Sequence, residues 1–410
     1  MHVVAMGTDG TGGAAYRAQL PMRALAERGH RAEYYEWDQR DEPPPFEHLR
    51  QADVVHMWRL FRGPARRLAT ALREAGVAVI FDNDDDMLKI PKFSPAHAEM
   101  TAARPQVARE LGAMLRLTTL VTTTCAELGG RLRRLGAPDV RVIENYVEAG
   151  FLRERVGGGD GVTVGWIAGL EHRGDLKDLR LRRTLEQLLE EHPHVSLVSV
   201  GVDVAARSER YTHHVRVPFP ELPDAIAQFD LAIAPIANVS FNRVRSNIKV
   251  KEYAAAGVPW LASPIGPYKD LGEEQGGRLV PDFGWREALS ELVTDDAARA
   301  ALAERSAAWG RTQTVTYNVA EWEAVFAEAA ERAGRTVSVS LAQPAAAAPG
   351  SASVAAPETV RRRAIVPRPI APPSPTADGD GPGGDASDRM PADGAPEKPR
   401  RGLFRRRAGR

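Results

Sequence analysis

Strand-like and helix-like stretches alternate along this chain, and the alternation begins twice. Val3–Met6 reads as a strand, followed by a predicted helix over Ala14–Arg28 with Ala18, Met22, Leu25 and Ala26 on one face. Gly29 stands where a left-handed cap should end it. Strands are then predicted at Ala32–Trp37, Val54–Trp58, Val77–Phe81, Leu120–Thr123 and Val140–Ile143. Helices are predicted between them from Pro64 to Gly76, near Gln106–Leu117, and up to Leu135. A glycine-rich break, Gly157-Gly158-Gly159-Asp160-Gly161, reads as a linker, after which the pattern restarts. Strands at Val162–Ile167, Val195–Val200, Leu231–Pro235 and Trp260–Ala262 enclose helices at Arg182–Glu191, Leu222–Gln228 and Ile248–Ala256. Helices at Trp285–Val293, Asp295–Trp309 and Val319–Arg332 follow. Such alternation demands a parallel sheet covered on both faces, so the expected class is α/β with two such domains, residues 1–150 and 151–316. A last helix over 317–334 and a tail over 335–410 complete the expected organisation.

A chain of 410 residues is too long for one ordinary core, which agrees with two domains. Hydrophobic residues make up 43% and charged residues 26%, the balance of a globular protein in water. The formal net charge is zero, so no global field recruits nucleic acid, and no nucleic-acid partner is expected. Cys125 is the one cysteine, which excludes an intramolecular disulfide and a cysteine metal cluster. Met1 to Gly7 carries no basic leader with a long apolar stretch, and no run approaches the roughly 18 apolar residues of a membrane helix. The expected location is the cytoplasm. Beyond Gly334, Pro, Ala, Gly, Ser and charged residues dominate, and Phe404 is the sole aromatic residue, so disorder is expected. Lys398 to Arg410 holds seven Lys or Arg around Leu403 and Phe404. That end reads either as a solubilising tail or as a weak peripheral anchor to anionic membrane.

Three stretches carry chemistry. The loop Gly7-Thr8-Asp9-Gly10-Thr11-Gly12-Gly13 follows a strand and opens a helix, where glycines admit a ligand close to backbone and free N–H groups attract an anion. It also fits a dinucleotide variant through Gly10, Gly12 and Ala15, with Glu33 near the place of a ribose-binding acid, or a tight turn with no ligand. Asp82-Asn83-Asp84-Asp85-Asp86 directly follows the strand Val77–Phe81, where open parallel sheets bind ligands. Carboxylates so crowded repel one another, so a cation or hydrogen-bond donors should lie nearby. A metal is one such cation, and a solvated helix cap is the plainer alternative. Finally, Arg243, Arg245, Ser246, Lys249 and Lys251 gather at the start of a helix, with Glu252 one turn from Lys249. A cation for phosphate beside an acid for ribose hydroxyls suits a nucleoside diphosphate. An ordinary surface salt bridge also satisfies the spacing.

Ser246-Asn247-Ile248-Lys249, Glu252 to Pro259, and Ala262 to Tyr268 resemble the donor-site signature of GT-B glycosyltransferases of the "glycosyltransferase group 1", family 4-like kind. Gly12-Gly13 with Leu25 to His30 is similar to that family's opening loop and helix, and Val140 to Asn145 to the close of its first domain. Leu222-Pro223 with Phe229 to Pro235 resembles the strand before its donor site. The resemblance implies two Rossmann-like domains facing a cleft, with the last helix crossing back to the first. It also implies a nucleotide-diphosphate sugar as donor, an unidentified acceptor, and no cofactor or metal. By the same resemblance Lys249 and Arg173 neutralise the leaving diphosphate, and Ser246 and Arg245 hold the donor phosphates. Glu252 holds the ribose, and Gly12 and Gly13 approach the donor. Asp84, Asp85 and Asp86 face the acceptor, with Asp85 as a candidate base. Two departures stand out: Val244 occupies a position where the family often carries Glu, and Gly165 to Gly174 alters the usual Gly-Arg…Lys loop, with Arg173 in place of the lysine. A non-catalytic GT-B-like binding module and a dinucleotide-dependent oxidoreductase are the rival readings.

Overall fold

The computed structural model describes residues 1–8, 12–39, 41–94, 96–156, 159 and 161–336. Most of the predicted linker (Gly157, Gly158 and Asp160), the loop residues Asp9–Thr11 and nearly all of the predicted tail lie outside the described residues. Among the described residues, twelve strands form two six-stranded sheets. The first contains β1 (His2–Gly7), β2 (Arg31–Glu36), β3 (Val54–Trp58), β4 (Ala78–Asp82), β5 (Leu120–Thr123) and β6 (Val140–Val142), in the order β2-β1-β3-β4-β5-β6. The second contains β7 (Val162–Ala168), β8 (Val195–Gly201), β9 (Tyr211–His214), β10 (Leu231–Ala234), β11 (Trp260–Ala262) and β12 (Gly277–Leu279), in the order β12-β11-β10-β7-β8-β9. Every strand pair is parallel.

Burial on both faces explains why these strands read as unbroken apolar runs. In β1, Val3 and Ala5 join one core cluster while Val4 and Met6 join another. A third cluster fills the outer side of the second sheet around Trp166, Leu185 and Trp285. The first cluster is shared: it runs from Val3 through Trp322 and Phe326 to Tyr253 and Trp260.

The predicted helix over Ala14–Arg28 forms in two parts, a wide π-helical turn at Ala15–Gln19 and an α-helix at Leu20–Glu27. Pro21 is the cause, because it has no N–H to return to the carbonyl of Arg17, and the N–H of Leu20 reaches back to Ala15 instead. The wide turn lets the consecutive side chains of Tyr16 and Arg17 both point inward, at 5% and 0% exposure. The last helix, Val315–Arg332, is capped by Thr314, whose hydroxyl accepts from Tyr317 N at 3.2 Å. It packs on the Leu20–Glu27 helix and on β3 and β4, with Trp322 stacked on Phe326. Among the described residues no helix is long and apolar enough to cross a membrane.

Helix Ile248–Ala255, which carries the densest basic motif, is positioned by helix Asp296–Arg311. The two approach so closely at Gly310 that a Cβ there would lie 2.3 Å from the carbonyl oxygen of Ala254. Backbone cannot yield as a side chain does. Gly310→Ala is therefore expected to cost about 1–3 kcal/mol of unfolding free energy in urea titration. An unchanged denaturation midpoint would show that the helices can part freely.

Candidate functional site

In open parallel sheets a ligand-binding crevice lies outside the carboxyl ends of strands whose connections run in opposite directions. That point falls between β1 and β3 in the first sheet and between β7 and β10 in the second. The glycine loop leaves β1 there, Arg59 leaves β3, and the Asp82 run leaves β4. From the second sheet come the Gly169–Arg173 segment after β7 and the chain leading from β10 to helix Ile248–Ala255.

On that helix Lys249 Nζ donates to Glu252 Oε2 at 2.9 Å. Lys249 is 26% exposed while the Glu252 side chain is 1% exposed, so the cation faces outward and the carboxylate inward. The hydroxyl of Tyr16 also donates to Glu252, across 236 positions of sequence. Burial and the charge of Glu252 push the Tyr16 hydroxyl well above its ordinary pKa, which keeps it a donor. Lower on the helix, buried Lys251 donates to Glu144 at 2.6 Å and to the Asn145 carbonyl at 3.0 Å, above the ring of Tyr146. Burial lowers the Lys251 pKa, and Glu144 works against that. Asn145 also donates to Ser246 Oγ at 3.1 Å, so the helix start is fastened to the segment after β6.

The acidic run is neutralised by arginines. Asp82, fully buried, takes Arg17 Nη2 at 2.6 Å and the Thr122 hydroxyl at 2.6 Å. Asp84 accepts from Trp58 Nε1 at 2.9 Å and Arg59 Nε at 2.7 Å. Asp85 accepts from Arg59 Nη2 at 2.5 Å. Asp86 accepts from Arg131 and from the N–H of Leu88. The requirement for nearby cations, visible in the sequence, is met by side chains. Burial raises the Asp85 carboxyl, with Asp84 adding to it, and Arg59 and Arg245 pull back without cancelling it. Arg59 itself holds a left-handed φ of 55°, a conformation unusual for a bulky residue and frequent at functional sites.

Gly13 lies directly on this cluster, where a Cβ would sit 2.6 Å from the Trp58 ring and 2.7 Å from Asp84 Oδ2. Gly12 is exposed with φ of 55°. Facing them, Arg245 Nη2 donates to Glu171 Oε1 at 3.0 Å. Burial acts to raise Glu171, but Arg245 and His172 hold its carboxyl down at about 2. Buried His172 is clamped by Asp175 at 2.7 Å, and Asp175 also accepts from Ala237 N and Asn242 Nδ2. A cavity of about 480 Å³ opens between Cys125, Glu144, Arg243 and the Pro264–Asp270 loop, within the size range of small-molecule sites.

On the second-sheet side the structure joins Lys249 to Glu252 and holds Arg245 against Glu171, and on the first-sheet side it gathers Gly13, Asp84 and Asp85 around Trp58 and Arg59. Arg173 is exposed at the start of helix Arg173–Asp178, without a hydrogen bond or ion pair among the described residues, and its charge is felt by Asp203. Ser246 is engaged by Asn145, and Asp86 by Arg131. Tyr16, Trp58 and Arg59 escape sequence reading. Arg59 left a signal, a basic residue at the carboxyl end of the strand beside β4, whereas Tyr16 left none.

The fold is shared with solved structures of low sequence identity. HepE of Anabaena in complex with UDP and glucose is 13% identical with a TM-score of 0.57, covering 79% of this chain and 98% of that one. A glycosyltransferase from Rickettsia africae is 11% identical with a TM-score of 0.57, covering 80% and 98%. The α,α-trehalose 6-phosphate synthase of Burkholderia multivorans is 14% identical with a TM-score of 0.50, covering 82% and 99%. No family model and no curated protein matches the sequence. Two six-stranded parallel sheets with this likeness define the GT-B fold.

Proposed function

We propose that this protein is a glycosyltransferase that moves a sugar from a nucleotide-diphosphate donor to an acceptor. The observation that carries the reading is the Lys249–Glu252 pair, an outward cation on an inward carboxylate, at the carboxyl-end crevice of the second sheet. Glu252 takes the ribose hydroxyls, which replace the Tyr16 hydroxyl on its carboxylate. Lys249 neutralises the charge that builds on the leaving diphosphate, the electrostatic stabilisation on which such a reaction depends. Arg245 and exposed Arg173 add positive charge along the path of the phosphates, Ser246 offers a hydroxyl to a phosphate oxygen, and Gly12 and Gly13 admit the donor close to first-sheet backbone. Asp85, whose carboxyl burial raises, accepts the proton of the acceptor hydroxyl, while Asp84 and Asp86 line the acceptor side. The arginines on the Asp run support chemistry without a metal there. HepE, solved with UDP-glucose, makes UDP the first diphosphate to try.

One of UDP, GDP, dTDP and ADP is expected to raise the melting temperature, and the sugar conjugate of that nucleotide is expected to be consumed by the protein. Glu252→Gln is expected to weaken calorimetric binding of the same diphosphate about tenfold, the worth of one charge-assisted hydrogen bond. A protein that responds to none of the four, or a variant that binds as tightly as the parent, overturns the assignment.

A further inference from the structure

At the end of the first sheet opposite the crevice, three side chains from separate elements converge. His2 begins β1, Glu33 lies on the edge strand β2, and His48 belongs to the short helix Phe46–Leu49. His2 Nδ1 lies 3.2 Å from the backbone carbonyl of Gln51. A carbonyl oxygen only accepts, so this nitrogen carries a proton, and Nε2 is the ring atom turned toward Glu33. That Nε2 is 3.1 Å from Glu33 Oε1, and His48 Nε2 is 2.9 Å from Glu33 Oε2. Two imidazole nitrogens thus converge on the two oxygens of one carboxylate, and the Tyr35 hydroxyl lies 3.1 Å from His48 Nε2. The three ligand atoms lie within 4.8 Å of one another, and side-chain exposures of 11%, 25% and 25% leave room for a solvent ligand.

We propose that His2, Glu33 and His48 form a binding site for a divalent transition metal of the zinc class. Two imidazoles and one carboxylate, with a fourth position left to water, suit that ion and its ligand distances of about 2.1 Å. The surroundings are those of a metal site: the Gln51 carbonyl fixes the His2 tautomer and ring orientation, and the Tyr35 hydroxyl donates to Glu33 Oε2 at 2.9 Å. Arg31, which donates to Glu33 Oε1 at 2.9 Å, is 57% exposed and free to withdraw when the ion enters. The ion ties the Phe46–Leu49 helix to the sheet edge, far from the sugar chemistry, so its role is structural.

The test is titration of the full, chelator-stripped chain with Zn²⁺ by calorimetry and with Co²⁺ by visible absorption. One equivalent is expected to bind, with a Co²⁺ spectrum free of thiolate charge transfer because the lone cysteine, Cys125, caps a different helix. His48→Gln and His2→Gln are each expected to weaken binding at least about tenfold. Absence of saturable one-to-one binding by the parent chain overturns the site without recourse to any variant. Equal binding by parent and either variant overturns the three-ligand set.

Discussion

Lys249→Ala is expected to slow sugar transfer by about 10²–10³-fold, the usual cost of removing one preorganised charge contact to a developing anion. In the resting protein Lys249 is balanced by Glu252, so its charge is held in place before the donor arrives. That geometry spares reorganisation when the diphosphate departs, and the effect should therefore fall on kcat more than on KM. Truncation also leaves the buried carboxylate of Glu252 with Tyr16 as its one remaining partner among the described residues, which lowers stability. The two consequences separate in measurement. A lysine that serves Glu252 alone shifts the melting temperature and leaves turnover per folded molecule intact. Turnover within a few-fold of the parent, with donor binding preserved, assigns the cation role elsewhere, and Arg245, also on the second-sheet side, is the next residue to change.

How far the sequence could be read depended on how local each cause was. Strands β1, β3 and β4 were plain because both faces are buried, so every residue along them is apolar or enclosed. The edge strands β9 and β12 escaped: β9 is a half-exposed Tyr-Thr-His-His stretch and β12 spans three residues, so neither carries an apolar run. The short helices Phe46–Leu49, His97–Ala102 and Arg173–Asp178 gave no amphipathic period to detect. In the site, Lys249 and Glu252 were legible as neighbours because one helical turn joins them. The need of the acidic run for cations was legible too, from repulsion alone. Which arginines answer it was not, since Arg17 is separated from Asp82 by 65 positions and Arg131 from Asp86 by 45. Pairings of that kind are set by the order of strands in the sheet, which leaves no local mark in the sequence.

Asp82→Asn is expected to lower the unfolding free energy by about 3–5 kcal/mol, because it strands a buried arginine without its counter-charge. Arg17 and Asp82 are both fully buried, and Arg17 is held besides by Ile143 O and Asn145 Oδ1, with the Trp322 ring 4.7 Å from its guanidinium carbon. One ion pair thus joins the wide helical turn, β4, the segment after β6 and the last helix. Burial by itself pushes the Asp82 carboxyl up, but the charge of Arg17 and the nearby His56 more than reverse this and hold it far below the usual carboxylate range. A carboxylate depressed in the folded state contributes stability that is complete above its unfolded pKa of about 4 and fades as pH falls from there toward the folded value. The gap between parent and variant should accordingly be full in urea titrations at neutral pH and narrow in strong acid. Arg17→Met supplies the reciprocal measurement, since it leaves the Asp82 carboxylate buried with the Thr122 hydroxyl and is expected to cost a similar amount. A loss below about 1 kcal/mol in both variants would mean that water reaches the pair and that its enclosure by Trp322 does not govern its energy.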